Sequence, residues 1–161
     1  LPYRVGTFYY APGCGLYVII AYQSDEELYL AEELLESLSY TGIGGKKNSG
    51  MGKFQFRKGK PSPELEKRLC EKSSRNILIS TALPMESELE IALEDASYLL
   101  EKRSGFVASV DYAPEWRKKK DLYVFAPGSC FVNRFSGDIY DVSDGGNHAV
   151  YRYAKALFLG V

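Results

Sequence analysis

An α+β fold built on an antiparallel sheet is what this chain predicts, and three observations carry that expectation. Aromatic and β-branched runs recur between Gly and Pro turns, leucines fall at helical spacing in the first third, and the last third alternates like a series of short strands. At 161 residues, with 45% hydrophobic and 25% charged content, there is enough apolar material for one well-cored domain or two small ones, so disorder is not expected.

The first two elements expected are strands. "PYRVGTFYY" and "LYVII" flank the turn sequence "APGCG" and read as an antiparallel pair. A helix follows in "SDEELYLAEELLESLSY", where Ser24 is placed to cap and Glu27, three residues on, completes a capping box. Leu28, Ala31, Leu34, Leu35 and Leu38 then share one helical face. After the segment "TGIGGKKNSGMG", "KFQFR" alternates like a strand. Ser62 with Pro63 at the first helical position starts a short helix in "SPELEKRLCEK".

"NILISTAL" reads as a buried strand and "ESELEIALEDA" as a helix with Ser87 and Glu90 as a capping box. Strands are then expected in "GFVASV", "DLYVFAPGSCFVNRF", "GDIYDV" and "AVYRYAKALFLGV". The opening order, two strands, a helix, a loop and a strand, is compatible with a ferredoxin-like or RRM-like sandwich with helices on one face and extra β-hairpins.

Composition removes several functions. Cys14, Cys70 and Cys130 are odd in number and widely spaced, which indicates neither a disulfide framework nor a zinc site. The single His148 excludes multi-histidine metal centres, and no cofactor is implied. The longest apolar run, residues 16–22, is far short of the roughly 20 residues that span a bilayer, so a soluble cytoplasmic protein without membrane contact is expected.

Net charge is −1, yet charge is unevenly placed. Asp25, Glu26, Glu27, Glu32, Glu33 and Glu36 precede Lys46, Lys47, Lys53, Arg57, Lys58 and Lys60, with no acid among the latter run. The basic run overlaps the glycine-rich stretch from Thr41 to Phe54. That stretch is not a Walker loop: Gly45 and Gly50 have the spacing, but Met51 and Gly52 stand where lysine and serine are required. It is not a dinucleotide fingerprint either, because Lys47 replaces the third glycine. What remains is a flexible backbone that can approach an anion closely, with Lys46, Lys47 and Lys53 for phosphates and Asn48 and Ser49 for short hydrogen bonds. A helix-capping Gly42 followed by a solvated loop accounts for the same residues without a ligand.

The arrangement "GIGGKKNSGMGKF" after a leucine-rich helix resembles the glycine-rich loop of the RAMP (repeat-associated) proteins of CRISPR effector complexes. With "LPYRVGTFYY" and "GNHAVYRYAKALFLGV", the chain is similar more narrowly to the fourth subunit of the type III-A Csm complex, in its C-terminal half. It departs from that family's pattern at Met51, where an aromatic is usual, and at Lys53, where arginine is.

The resemblance implies a single RAMP-type domain over residues 1–161, the second half of a longer two-domain chain. It implies a non-catalytic subunit that holds the 5′ repeat-derived tag of the crRNA. Its partners would be the large Cas-ten-type subunit and a neighbouring RAMP backbone subunit. Carried over, Gly44, Gly45, Lys46, Lys47, Asn48, Ser49, Gly50 and Lys53 hold the RNA backbone, with Arg152 in the C-terminal motif as a further contact. Phe54 and Phe56 are candidates to stack on bases, and Arg4 and Tyr153 to reach RNA. Arg117 to Lys120, beside the sole tryptophan Trp116, reads as a solvated turn or a partner surface.

Two alternatives stand beside this reading. RAMP endoribonucleases share the fold and loop and use a general acid or base, for which His148 is the candidate. A purely structural assembly domain needs no RNA contact at all.

Overall fold

The computed structural model describes Arg4 and residues 6–161; the strand expected from Pro2 begins on residues outside the described ones. The chain divides into two compact units, residues 1–59 and 60–161.

In the first unit the predicted helix forms as α1, Asp25–Thr41. The Ser24 hydroxyl accepts from the Glu27 amide at 3.3 Å, and the Glu27 carboxylate accepts from the Gln23 amide at 2.8 Å. Three acids in the first turn suit the positive end of the helix dipole. Of the leucine stripe, Leu28, Ala31 and Leu35 are half-buried, whereas Leu34 and Leu38 are exposed. Gly42, in the left-handed half of backbone space, ends the helix by donating to Leu38 O at 2.7 Å.

The strands expected on either side of α1 are not formed among the described residues. Between residues 6 and 23 there is no ladder, and Phe8, Tyr9, Leu16 and Tyr17 are exposed. The turn between the runs explains why. Cys14 N–H donates to Ala11 O at 2.9 Å and Gly13 has φ +80°, the Pro-Gly geometry of a type II turn. That turn twists against paired strands, which favour the primed turns. "KFQFR" is likewise not a strand: the Phe54 amide donates to Ser39 O at 3.3 Å, so the chain runs back along the end of α1.

The second unit is α+β, with every ladder antiparallel. Its helices are α2, Pro63–Cys70, and α3, Glu86–Leu93. Its strands are β1 Asn76–Leu78, β2 Leu100–Arg103, β3 Leu122–Phe125, β4 Cys130–Phe131, β5 Gly137–Asp141, β6 Tyr151–Lys155 and β7 Phe158–Gly160. They form a three-stranded sheet in the order β4-β1-β7 and two ribbons, β2-β3 and β5-β6. Ile77 lies opposite Cys130 on one side and Leu159 on the other, which fixes the central register.

The core sits on this sheet: Leu78, Ala82, Ala92, Phe125, Phe131, Phe135 and Phe158 are buried together. Phe131, Phe135 and Phe158 meet edge-to-face at 5.1 to 5.8 Å, the geometry that ring quadrupoles prefer. Buried Asn76 is fully engaged. Its amide nitrogen donates to the carbonyls of Ser73, Phe131 and Val132, and its oxygen accepts from Arg134 Nε at 2.7 Å. The rest of that guanidinium donates to the carbonyls of Leu69, Arg68 and Glu71, the unpaired end of α2. One arginine thereby caps a helix and locks it to β1.

Two expected details shift. "GFVASV" contributes only an isolated bridge, Phe106 to Lys118. The start of α3 falls two residues earlier than Ser87 and Glu90 predict, with only the carboxylate half of a capping box: Glu88 accepts from the Met85 amide at 3.0 Å, and Met85 makes no side-chain cap. Glu88 also accepts from the amides of Ser136 and Gly137 and so ties α3 to β5. Burial pushes its carboxyl up, but those backbone hydrogen bonds outweigh this and hold it below the ordinary glutamate value. No helix among the described residues is long and apolar enough to cross a membrane.

Candidate nucleic-acid interface

The glycine-lysine loop is a closed excursion pinned at its neck. Ile43 N–H donates to Gly52 O at 2.9 Å, and the chain turns back through a single 3-10 turn, Lys47–Ser49. Within the turn, the Ser49 and Gly50 amides donate to Lys46 O and Lys47 O, both at 2.9 Å. Lys46 sits at φ +60°, left-handed without the excuse of being glycine, a conformation that costs about 1 kcal/mol or more.

The glycines divide into two kinds by their surroundings. At Gly52, φ +79°, a Cβ would stand 2.1 Å from Ile43 O, and at Gly42 one would stand 2.8 Å from Met51 O. These two permit the close backbone approach that shuts the neck. At Gly44, Gly45 and Gly50 nothing lies within 4 Å, so the tip presents bare backbone to solvent.

Lys46, Lys47, Asn48, Ser49, Gly50 and Lys53 are all exposed around that tip, together with Gly44 and Gly45. The loop therefore assembles eight of the nine predicted binding residues in one place. Lys58 is not part of this positive surface, since its ammonium pairs with Glu32 on α1. Phe54 is half-buried, and Phe56 is exposed at 37%. Such an assembly can bind an extended anion through backbone amides, ammonium groups and short polar side chains.

Arg152 and His148 belong to the other compact unit. Arg152 is half-buried on β6 opposite Tyr140, and Tyr153 beside it is exposed. His148 Nδ1 lies 2.9 Å from Ala149 O and its Nε2 3.0 Å from the Ser109 hydroxyl. Its ring meets Tyr112 edge-on at 5.2 Å. One ring nitrogen is thus engaged by its own turn and the other by Ser109, 39 residues earlier in the chain. No group of three or more His, Cys, Asp or Glu side chains among the described residues is arranged to hold a metal ion.

Sequence reasoning overlooked Gly52, which entered only as a mismatch to a nucleotide loop. The signal was available: Gly42 and Gly52 bracket Lys46 and Lys47 ten residues apart, a spacing that suits a closed neck better than a floppy tether.

Comparison with known proteins agrees with the family resemblance. The family model described as CRISPR Csm4 C-terminal domain matches residues 71–161. "CRISPR system Cms protein Csm4" of Mycobacterium tuberculosis strain H37Rv is 44% identical over 160 residues, 99% of this chain and 51% of that protein. The protein of the same name from Streptococcus thermophilus is 44% identical over 158 residues, covering 97% of this chain and 51% of the relative. The chain spans about half the length of the curated relatives it matches. With an antiparallel α+β unit at residues 60–161 and a family match over most of it, the chain belongs to the CRISPR Csm4 family, in its C-terminal part.

Proposed function

We propose that this chain is the RNA-holding part of a non-catalytic subunit in a type III-A CRISPR effector complex. The loop from Gly44 to Lys53 cradles the 5′ repeat-derived tag of the crRNA, and Arg152 adds a contact from β6. In the assembled complex the subunit joins the large Cas-ten-type subunit to the neighbouring RAMP backbone subunit in the cytoplasm. The finer fold reading belongs to the same proposal: residues 1–161 form one RAMP-type domain of ferredoxin-like or RRM-like plan, the second half of a longer protein.

The observation that carries it is the loop itself. Its neck is shut by glycines, no atom crowds the tip glycines Gly44 and Gly45, and Lys46, Lys47 and Lys53 are exposed around it. Holding a single strand without regard to sequence calls for this combination of amides and charge. In this reading the loop has a holding role with no bond made or broken, and His148, the candidate general acid or base, hydrogen-bonds Ala149 and Ser109.

The test is guide retention in the reconstituted complex, measured against salt. With Lys46→Glu and Lys47→Glu together, retention falls, and the slope of log affinity on log salt drops by about 0.7 for each phosphate no longer neutralised. Unchanged retention would favour a purely structural assembly domain. Cleavage of labelled repeat RNA that disappears in His148→Ala would replace the proposal with an endoribonuclease.

A further inference from the structure

Beyond the ends of β2 and β3 the two arms meet again at one isolated bridge, shifted by one residue from the ladder. Lys102 lies opposite Tyr123, and the pairing extends through Val107 N–H to Arg117 O at 2.9 Å and Lys119 N–H to Gly105 O at 3.0 Å. Phe106 bridges to Lys118 between these two hydrogen bonds. Burial alternates along the first arm: residues 101, 103, 105 and 107 are half-buried, whereas 102, 104 and 106 are exposed. Cross-strand neighbours share a face, so Lys102 with Tyr123 and Phe106 with Lys118 stand on the solvent side.

Three large aromatics are left in water there. Tyr123 is 55% exposed, Phe106 57% and Trp116 83%, and the Phe106 and Trp116 rings meet edge-on at 6.0 Å. A tryptophan this exposed, supported by a second ring, is a surface feature that calls for an explanation.

The charge beside the rings is positive. Asp121 pairs with Lys102 at 2.7 Å and Lys118 at 3.1 Å, one acid between two lysines. Arg117 and Lys119 have no ion pair among the described residues, Lys120 feels Asp141, and Glu115 is the exposed acid next to Trp116. A protein-binding patch gathers apolar side chains at its centre and excludes charge from it. Here flat rings and cations alternate on one ribbon, which is the pattern that binds bases by stacking and phosphates by charge.

We propose that this ribbon is a second nucleic-acid surface, a stacking platform for a single strand, with bases on Trp116 and Phe106 and phosphates at Lys102 and Lys118, the two lysines on the same face that share Asp121. It is independent of the glycine-lysine loop, which lies in the other compact unit. RNA and DNA single strands share the required chemistry.

Trp116 is the only tryptophan, so its fluorescence reports this site alone. Purified chain is titrated with uridine and thymidine homopolymers, a blunt RNA duplex, inorganic polyphosphate and polyglutamate. Saturable quenching by the single strands is expected, by both if the sugar is not read and by RNA alone if it is. Phe106→Ala weakens it about tenfold. Lys102→Glu with Lys118→Glu weakens it further, and circular dichroism verifies that each variant is folded. Lys46→Glu with Lys47→Glu leaves it intact, which separates this platform from the loop. The proposal is overturned if single strands bind by anisotropy without changing Trp116 emission. It is equally overturned if the duplex or polyphosphate quenches as strongly, or if only polyglutamate does, which would make the face a protein contact.

Discussion

Replacing Gly52 with alanine tests whether the loop is a built structure or a tether. Two costs combine. Residue 52 sits at φ +79°, where a non-glycine residue costs about 1–2 kcal/mol. The new Cβ would also stand 2.1 Å from Ile43 O, which is backbone and cannot rotate aside. Relief requires the two arms of the neck to separate by about an ångström, and the 2.9 Å hydrogen bond from Ile43 to Gly52 breaks at a cost of about 1 kcal/mol. Local opening should therefore become easier by about 2–3 kcal/mol.

Amide hydrogen exchange reads this at a single site. The Ile43 amide should exchange at least tenfold faster in Gly52→Ala, since about 1.4 kcal/mol is a factor of ten. Gly50→Ala supplies the control: φ is +81°, but nothing lies within 4 Å, so only the conformational cost applies and the Ile43 bond survives. Guide retention should fall in Gly52→Ala more than in Gly50→Ala. Ile43 exchange equal to wild type in Gly52→Ala would refute a pinned neck and leave only a solvated loop.

Two further predictions concern the second unit. Arg134→Met removes the donors for three α2 carbonyls and for buried Asn76, and should lower stability in urea by about 2–4 kcal/mol. An unchanged unfolding midpoint would show that water replaces the guanidinium. Glu88 binds its proton less readily folded than unfolded, so its contribution is present above the ordinary glutamate range and is lost as pH falls through the lower folded value. Stability curves of wild type and Glu88→Gln should converge in acid and separate towards neutral pH; parallel curves would exclude this link.

Much of the second unit was legible because its signals are local and its turns agree with them. Ser62 and Pro63 start α2 as expected, and the short strands from Leu122 to Gly160 fall between Gly, Pro and Asp turns. The first unit was legible only in part. Ser24 and Glu27 specify the start of α1 through hydrogen bonds within one turn. The aromatic runs before α1 carry strand propensity, but Pro12 and Gly13 make a turn of the wrong twist for a hairpin. Propensity describes how a side chain fits a pleated surface and does not supply the edge to pair with.

The candidate site followed the same division. Glycine and lysine content named the loop, and its spacing excluded nucleotide folds. That Gly52 closes the neck while Gly44 and Gly45 stay open depends on which backbone atoms a Cβ would meet within 4 Å, and at Gly52 those belong to Ile43, nine residues away. The start of α3 is a smaller instance of the same limit. Two acids three residues from plausible caps compete, and Glu88 prevails because it also reaches the amides of Ser136 and Gly137.

By itself, then, the sequence determined the helices, the turn positions, the charge separation and the family resemblance. All of these rest on residues within a few positions of one another, where a capping hydrogen bond or a forbidden φ acts whatever the rest of the chain does. Only the tertiary structure decided which aromatic runs become strands, which arginine caps α2 and which rings stay in water between β2 and β3. Those outcomes depend on partners far along the chain: Arg134 reaches Asn76 across 58 positions, and Phe106 and Trp116 meet only because the ribbon folds back on itself. Their free energy exists only once the chain has closed those distances.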